Sequence, residues 1–222
     1  MGAARRPYRE RWDTLRVVVM PQIPGIVLAG GKSSRMGRPK ALLPIGPTRE
    51  TFLQRVTRTL MDAGIEDVIV VVGADADAIR GGAVPPGVRI VDNPDWEQGQ
   101  LTSLLAGLGA IDAAHAVGVL MTLVDVPLVT AGTIRTLIAV QRERDAPIVR
   151  PVSNGRHGHP VIFGRALFDE LRCADPASGA KPIIRAHAAE MIDVPVDDEG
   201  AFTDIDTRED YERWIGKLTT DD

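Results

Sequence analysis

Ile26-Val-Leu-Ala-Gly-Gly-Lys-Ser-Ser-Arg-Met-Gly-Arg-Pro-Lys40, continued by Ala41-Leu-Leu-Pro-Ile45, is the stretch around which the rest of the chain arranges itself. The short apolar run from Ile26 to Leu28 reads as a buried strand. It empties into a loop with three glycines (Gly30, Gly31, Gly37), two serines and four cations, Lys32, Arg35, Arg38 and Lys40. Glycines let successive backbone N–H groups point inward as an anion-binding nest, and Lys and Arg add charge for a polyphosphate. A solvated basic turn is the plainer alternative for such a loop taken alone. The Walker pattern G-x-x-x-x-G-K-[ST] fails because its first position falls on Ile26, which argues against a phosphate-loop kinase. The dinucleotide pattern G-x-G-x-x-G fails because Gly30 and Gly31 are adjacent and no helical run follows directly.

Outward from the loop, helical and extended patterns alternate. Thr51 to Ala63 has apolar residues at helical spacing and closes at Gly64. Asp67 to Val72 is a β-branched run suited to an interior parallel strand. A short helix at Asp75 to Arg80, a strand at Val88 to Val91, a helix from Gly99 to Leu108 and a strand from Gly118 to Val124 follow. Beyond these come a helix from Thr130 to about Arg144 and an antiparallel hairpin from Pro147 to Phe163, whose turn signal is Asn154-Gly155. Helices near 165–171 and 180–189, a strand at 191–196 and a helix over 207–217 close the chain. The alternation up to Asp125 predicts a parallel, doubly wound sheet in one domain over residues 22–218.

Residues 1–21, with five arginines and only a brief apolar run, read as an appendage outside the fold, and Met20 is a candidate translation start. The 222 residues carry 44% hydrophobic and 25% charged side chains, an ordinary globular balance, and a net charge of −4, which gives no footprint for general nucleic-acid binding. No apolar run is long enough to span a bilayer. The single cysteine, Cys173, cannot form an internal disulfide, which fits a cytoplasmic protein.

In an open α/β sheet, ligands sit beyond the carboxyl ends of the strands. Three polar clusters follow directly on expected strands: 30–40, Asp92-Asn93 and Asp125. They are therefore expected to converge on one edge. Asp125 ends a buried strand, where a carboxylate needs a cation or a donor. It either caps the next helix or, beside a phosphate-binding loop, holds Mg²⁺. Asp204-Ile-Asp206-Thr-Arg-Glu-Asp210 is a second acidic segment. Asp206 or Thr207 can cap the last helix there, and alternation places Asp204 and Asp206 on one face with Ile205 opposite. His157 and His159 lie together in the hairpin, with spacing poor for zinc.

The loop, read as L-A-G-G-K-S-S-R-M-G-x-P-K, resembles the signature of nucleotidyltransferases with a MobA-like domain, the enzymes that add CMP or GMP to molybdopterin. N-P-x-W…G-Q-x-x-S-L-x-x-G-L, Asp125-Val-Pro127, Gly158-His-Pro-Val161 and Asp204-Ile-Asp-Thr207 extend the likeness over nearly all of the chain after about Ile23. Arg208 stands where the family has Pro, and Asp175 to Lys181 is an irregular version of its G-D-x-G-A-[RK] stretch. The resemblance implies a Rossmann-like, doubly wound fold with a small antiparallel hairpin lobe. It also implies NMP transfer from an NTP to molybdopterin or molybdenum cofactor, with Mg²⁺ as the cofactor and a molybdoenzyme as a possible client.

Carried onto this chain, the resemblance gives Arg35, Lys40 and Asp125 catalytic roles. Leu28, Ala29, Gly30, Gly31, Lys40, Asp92, Asn93 and Ser103 would bind nucleotide. Asp125 and Asp206, with Asp204 as the alternative, would hold metal, while Arg156, Gly158 and His159 would meet the acceptor, and Arg172, Lys181 and Arg185 would add positive charge. Ala29-Gly30-Gly31 follows the guanylyl pattern, whereas the Gly99 helix, the hairpin and the closing segment follow the cytidylyl one. CTP is favoured over GTP. The rival class is a binding module without turnover, such as a chaperone that holds molybdopterin.

Overall fold

The structure, a computed structural model, describes residues 22–33, 35–82 and 84–216. The expectations for residues 1–21, Met20 included, lie outside the described residues. Ten strands and seven α-helices follow in order: β1 (Gly25–Ala29), β2 (Pro44–Ile45), β3 (Glu50–Thr51), α1 (Phe52–Asp62), β4 (Val68–Val72), α2 (Ala76–Gly81), β5 (Val88–Asp92), α3 (Gln100–Ala110), β6 (Gly118–Leu123), α4 (Ala131–Arg144), β7 (Ile148–Ser153), β8 (Arg156–His157), β9 (Val161–Gly164), α5 (Phe168–Cys173), α6 (Lys181–Ala186), β10 (Ile192–Pro195) and α7 (Arg208–Trp214).

One sheet runs β10-β7-β9-β6-β1-β4-β5, with β8 paired to β7. β5, β4, β1 and β6 are mutually parallel. The hairpin is built into this sheet instead of standing apart: β9 runs antiparallel between β6 and β7, and β10 joins β7 in parallel. A ribbon of β2 and β3, which the sequence pattern did not suggest, forms a separate two-stranded sheet. The helix expected over 180–189 contracts to α6, and α5 is entered through a 3-10 turn at Arg165–Leu167.

Strand alternation divides the core. Val27, Val68, Val70, Val72 and Leu120 face α1 and α4, whereas Ile26, Ile69, Val71, Val119 and Met121 face α3 and α5. Thr51 caps α1 through the Gln54 backbone N–H at 3.2 Å, and the Gln54 side chain accepts from the Thr51 N–H at 2.8 Å. From β1 the chain moves outward through β4 to β5 and then returns to place β6 on the other side of β1. The strand order therefore reverses between β1 and β6, where an open α/β sheet leaves a crevice.

The segment after β10 crosses back over this crevice and is anchored along its length. Asp198 accepts from the Thr130 N–H at 2.9 Å, the Thr130 hydroxyl at 2.8 Å and the Thr133 hydroxyl at 2.5 Å, which ties the segment to the start of α4. The Ala201 carbonyl accepts from the His159 N–H at 2.8 Å, and Ile205, fully buried, donates its N–H to the Asp125 carbonyl at 2.8 Å. Gly200 lies so close to α4's approach that a Cβ there would strike the Leu128 carbonyl. Gly200→Ala is accordingly expected to cost about 1–3 kcal/mol through forced backbone displacement, read as a lower urea midpoint with an unchanged slope.

Candidate active site

Lys40 is the centre of the crevice. The loop that follows β1 turns back on itself through the Lys40 N–H, which donates to the Ser33 hydroxyl at 2.9 Å, and Lys40 then opens a 3-10 turn whose Ala41 is buried. This places its ammonium between two carboxylates. It lies 2.7 Å from Asp125 Oδ2, at the end of β6, and in direct contact with Asp206 Oδ1 from the closing segment. Thr207, not Asp206, caps α7 by a reciprocal pair with Asp210, so the Asp206 carboxylate is free for Lys40. Arg35, highly exposed, reaches Asp206 Oδ2 from outside at 3.2 Å.

Burial works against the Lys40 charge, but Asp125 and Asp206 together outweigh it and raise its pKa. The hydrogen bond from Lys40, helped by Arg35 and opposed by burial, lowers that of Asp206. Asp204 shares the same face, as alternation requires. Burial, Asp125 and Asp206 push its pKa up, outweighing the opposing pull of Lys40. Asp125 Oδ1 is buried and has no hydrogen-bond partner among the described residues. An orphaned carboxylate oxygen, beside a second carboxylate already sharing a cation, is a donor set that suits a small divalent ion whose other ligands come from phosphate.

Two cavities adjoin this cluster. The first, about 230 Å³, runs along the ends of β6, β1 and β4; Leu28, Ala29, Gly30, Gly31, Lys40, Ser103 and Asp125, all expected here, line it. Lys32, one of the four loop cations, lines it too, as do Asp75, Trp96 and Gln100, to which the sequence assigned no role. The sequence held a signal for two of them, since Trp96 and Gln100 belong to the N-P-x-W…G-Q stretch. The second cavity, about 470 Å³, has an apolar floor that includes Leu104, Met121 and Phe163, with Arg150, His159 and Lys181 at its polar side. Gly158 and His159, two of the three expected acceptor contacts, line it. The His159 ring is pushed towards its neutral form by burial, against the pull of Asp125, and its Nδ1 has no partner among the described residues.

Outside the Lys40 cluster, five expected residues line neither cavity: Asp92, Asn93, Arg156, Arg172 and Arg185. Asp92 points away and pairs with Arg80 at 2.6 Å. Asn93, 3% exposed, works from behind: its side-chain amide donates to Thr102 Oγ1 at 2.8 Å and to Ser103 Oγ at 2.9 Å. Because Ser103 accepts that bond, its own proton is left for the cavity. Arg156 is held by both Glu199 oxygens, at 2.8 and 2.7 Å, and lies over the Phe202 ring. Arg172 pairs with Asp169 on its own helix at 2.7 Å.

Residues 25–191 match the MobA-like NTP transferase domain. The chain belongs to that family. It is a nucleotidyltransferase by family, and the loop after β1 meets Asp125 at the crevice of its sheet. Among its relatives is a Paenarthrobacter nicotinovorans protein named nicotine blue oxidoreductase, 30% identical, the match covering 88% of this chain and 98% of that one. The molybdenum cofactor cytidylyltransferase of Escherichia coli is 25% identical, with 86% and 95% covered. Rv0371c of Mycobacterium tuberculosis, solved in complex with manganese, superposes with a TM-score of 0.71 at 28% identity, covering 88% of this chain and 98% of that one.

Asp204 provides a test of the electrostatics. A carboxylate whose folded pKa lies above its unfolded value binds more protons when folded, so its contribution becomes unfavourable as pH rises through that window. Asp204→Asn should therefore melt at a higher temperature than the parent at pH 7. The gap should close as the pH falls towards the ordinary carboxylate value of about 3.9.

Proposed function

We propose that this nucleotidyltransferase moves a nucleoside monophosphate from an NTP, CTP in preference to GTP, onto the phosphate of molybdopterin or molybdenum cofactor and releases pyrophosphate. The observation that carries the reading is the meeting of Asp125, Lys40 and Asp206 at the strand-order reversal, beside two adjoining cavities of different character. One cavity is lined by loop backbone and cations, as a triphosphate needs. The other is apolar on its floor and basic at its side, as a flat heterocycle carrying a phosphate needs. The preference for CTP draws on the Gly158-His-Pro hairpin and the Asp204-Ile-Asp-Thr segment.

Asp125 and Asp206 would hold Mg²⁺, which when bound polarises the α-phosphate and templates the triphosphate. Lys40, released from the carboxylates, would follow the β and γ oxygens, and Arg35 would screen the outer charge. The backbone of Leu28 to Gly31 and the Ser103 hydroxyl would seat the nucleoside, while Gly158 and His159 would border the acceptor. An acceptor phosphate oxygen attacks the α-phosphorus, the bond from that phosphorus to the bridging oxygen breaks, and pyrophosphate leaves. No protein nucleophile is required; the protein places two anions together and neutralises the charge that grows between them. The single cysteine, Cys173, which is free and exposed, supports a reducing cytoplasm as the setting, with a molybdoenzyme as the downstream client.

Pyrophosphate release tests this. Purified protein with Mg²⁺ and molybdenum cofactor should turn over CTP faster than GTP. Asp125→Asn should lose turnover by at least about 100-fold, the scale of several kcal/mol of charge stabilisation, while still binding nucleotide. Turnover with GTP alone would reverse the base assignment. Binding without pyrophosphate from any NTP would favour a carrier of the cofactor. Oxidation of NADH or NADPH without pyrophosphate would favour an activity like that in the name of the Paenarthrobacter relative.

A further inference from the structure

The two cavities share Leu28, Gly99 and Gln100. Leu28 is apolar and Gly99 has no side chain, so Gln100 is the one polar side chain common to both. Gly99, at φ 122°, makes the turn out of the Trp96–Gln98 segment that only glycine adopts readily, and Gln100 is the first residue of α3 after it. The Gln100 side chain is exposed, and its amide makes no hydrogen bond among the described residues. By contrast, nearby Gln98 is tied to Asp95 at 2.8 Å, and Asn93 uses its amide on α3. Gln100 is therefore a two-donor group held at a junction and spent on nothing in the protein.

The junction is where the chemistry proposed above must occur. With the triphosphate in the cavity that holds Lys40 and the acceptor in the one that holds His159, attacking oxygen and α-phosphorus have to approach within about 3–3.5 Å. That approach lies between the cavities. Both reactants are anionic there, since a phosphate monoester has its second pKa near about 6. A neutral amide can donate to either one without titrating. We propose that Gln100 is a catalytic residue, its side-chain N–H groups donating to the oxygens of the phosphoryl group as it passes from pyrophosphate to the acceptor. The new bond joins the acceptor oxygen to the α-phosphorus, the electron pair of the broken bond leaves on pyrophosphate, and no proton has to be moved by Gln100. This assignment rests on the nucleotidyl-transfer reading given above.

Gln100→Ala and the near-isosteric Gln100→Glu, which replaces the donors by an acceptor-only carboxylate, test it. Pyrophosphate release from CTP, Mg²⁺ and molybdenum cofactor gives kcat and KM, and calorimetric titration with CTP in the absence of acceptor gives Kd. Removing one donor to a developing negative charge lowers kcat by about 100-fold. That loss is expected for Ala, with a larger one for Glu and an intermediate one for Gln100→Asn, whose amide is one carbon short. The Kd for CTP should stay within about threefold, as the differential-binding argument requires. Retention of kcat by Gln100→Ala, or a loss carried wholly in Kd or KM, overturns the assignment while leaving nucleotidyl transfer intact. A parent protein that binds CTP but releases no pyrophosphate overturns the transfer reading, and the role of Gln100 with it.

Discussion

The arrangement depends on one ammonium shared between two carboxylates that are far apart in sequence. Lys40 lies 85 positions from Asp125 and 166 from Asp206, yet one nitrogen serves both. With Asp204 close by, three carboxylates face one crevice and two cations, Lys40 and Arg35, answer them. Like charges at about 4 Å repel by about 4 kcal/mol at the effective dielectric of a protein surface. Without Lys40, the end of β6 and the closing segment would push apart. With it, the cluster still carries one negative charge in excess. Lys40 lets the crevice close without a ligand, and in the proposed reaction the excess charge would be met by a further cation.

The same constraint explains why the closing segment is so heavily anchored. A stretch that brings two acids to a third needs fixing elsewhere, and its fixings are neutral or self-contained. Asp198 takes three donors at the start of α4, Ile205 is buried with its N–H on the Asp125 carbonyl, and Thr207 caps α7 with Asp210. Tyr211 then stacks on Phe52 at 6.0 Å and donates to the Pro44 carbonyl at 2.5 Å, so α7 is locked against the ribbon that leads out of the loop. The acids are positioned by packing and backbone bonds, which leaves their side chains available to ligands.

Local patterns carried the strands and the helix starts because those rest on near neighbours. The β-branched run at β4, Thr51 before α1 and Asn154-Gly155 between β7 and β8 are each readable from a few residues. The meeting of the loop with Asp125 was readable as well, since strand ends in a parallel sheet share an edge, whereas Asp206 follows no strand and was signalled only by the resemblance of its segment. What could not be read was who else competes for a polar side chain. Asp92 and Arg156 are charged residues next to site elements, but Arg80 and Glu199 claim them from 12 and 43 positions away. Asn93 turns inward because Thr102 and Ser103 stand one helical turn into α3 with hydroxyls to offer. The insertion of β9 between β6 and β7 is equally non-local, because a hairpin signal sets its turn and says nothing of which strand it joins.

For the transfer proposed above, the two cavities would divide the chemistry in a way that a single pocket could not. A triphosphate needs donors and cations in water-accessible space, and a flat acceptor needs an apolar floor; mixing the two would desolvate charges on one side or wet the apolar surface on the other. In the proposed reaction, keeping them apart would preserve both environments and confine the reacting atoms to the place where the cavities meet. Rate would then depend on how rigidly that junction is held, and β1 lies beneath it. Leu28 lies on this central strand and reaches both cavities, with β4 and β6 parallel on its two sides. A strand flanked on both sides by parallel neighbours therefore lies beneath both cavities, while the charged loop that follows it sits at its exposed end.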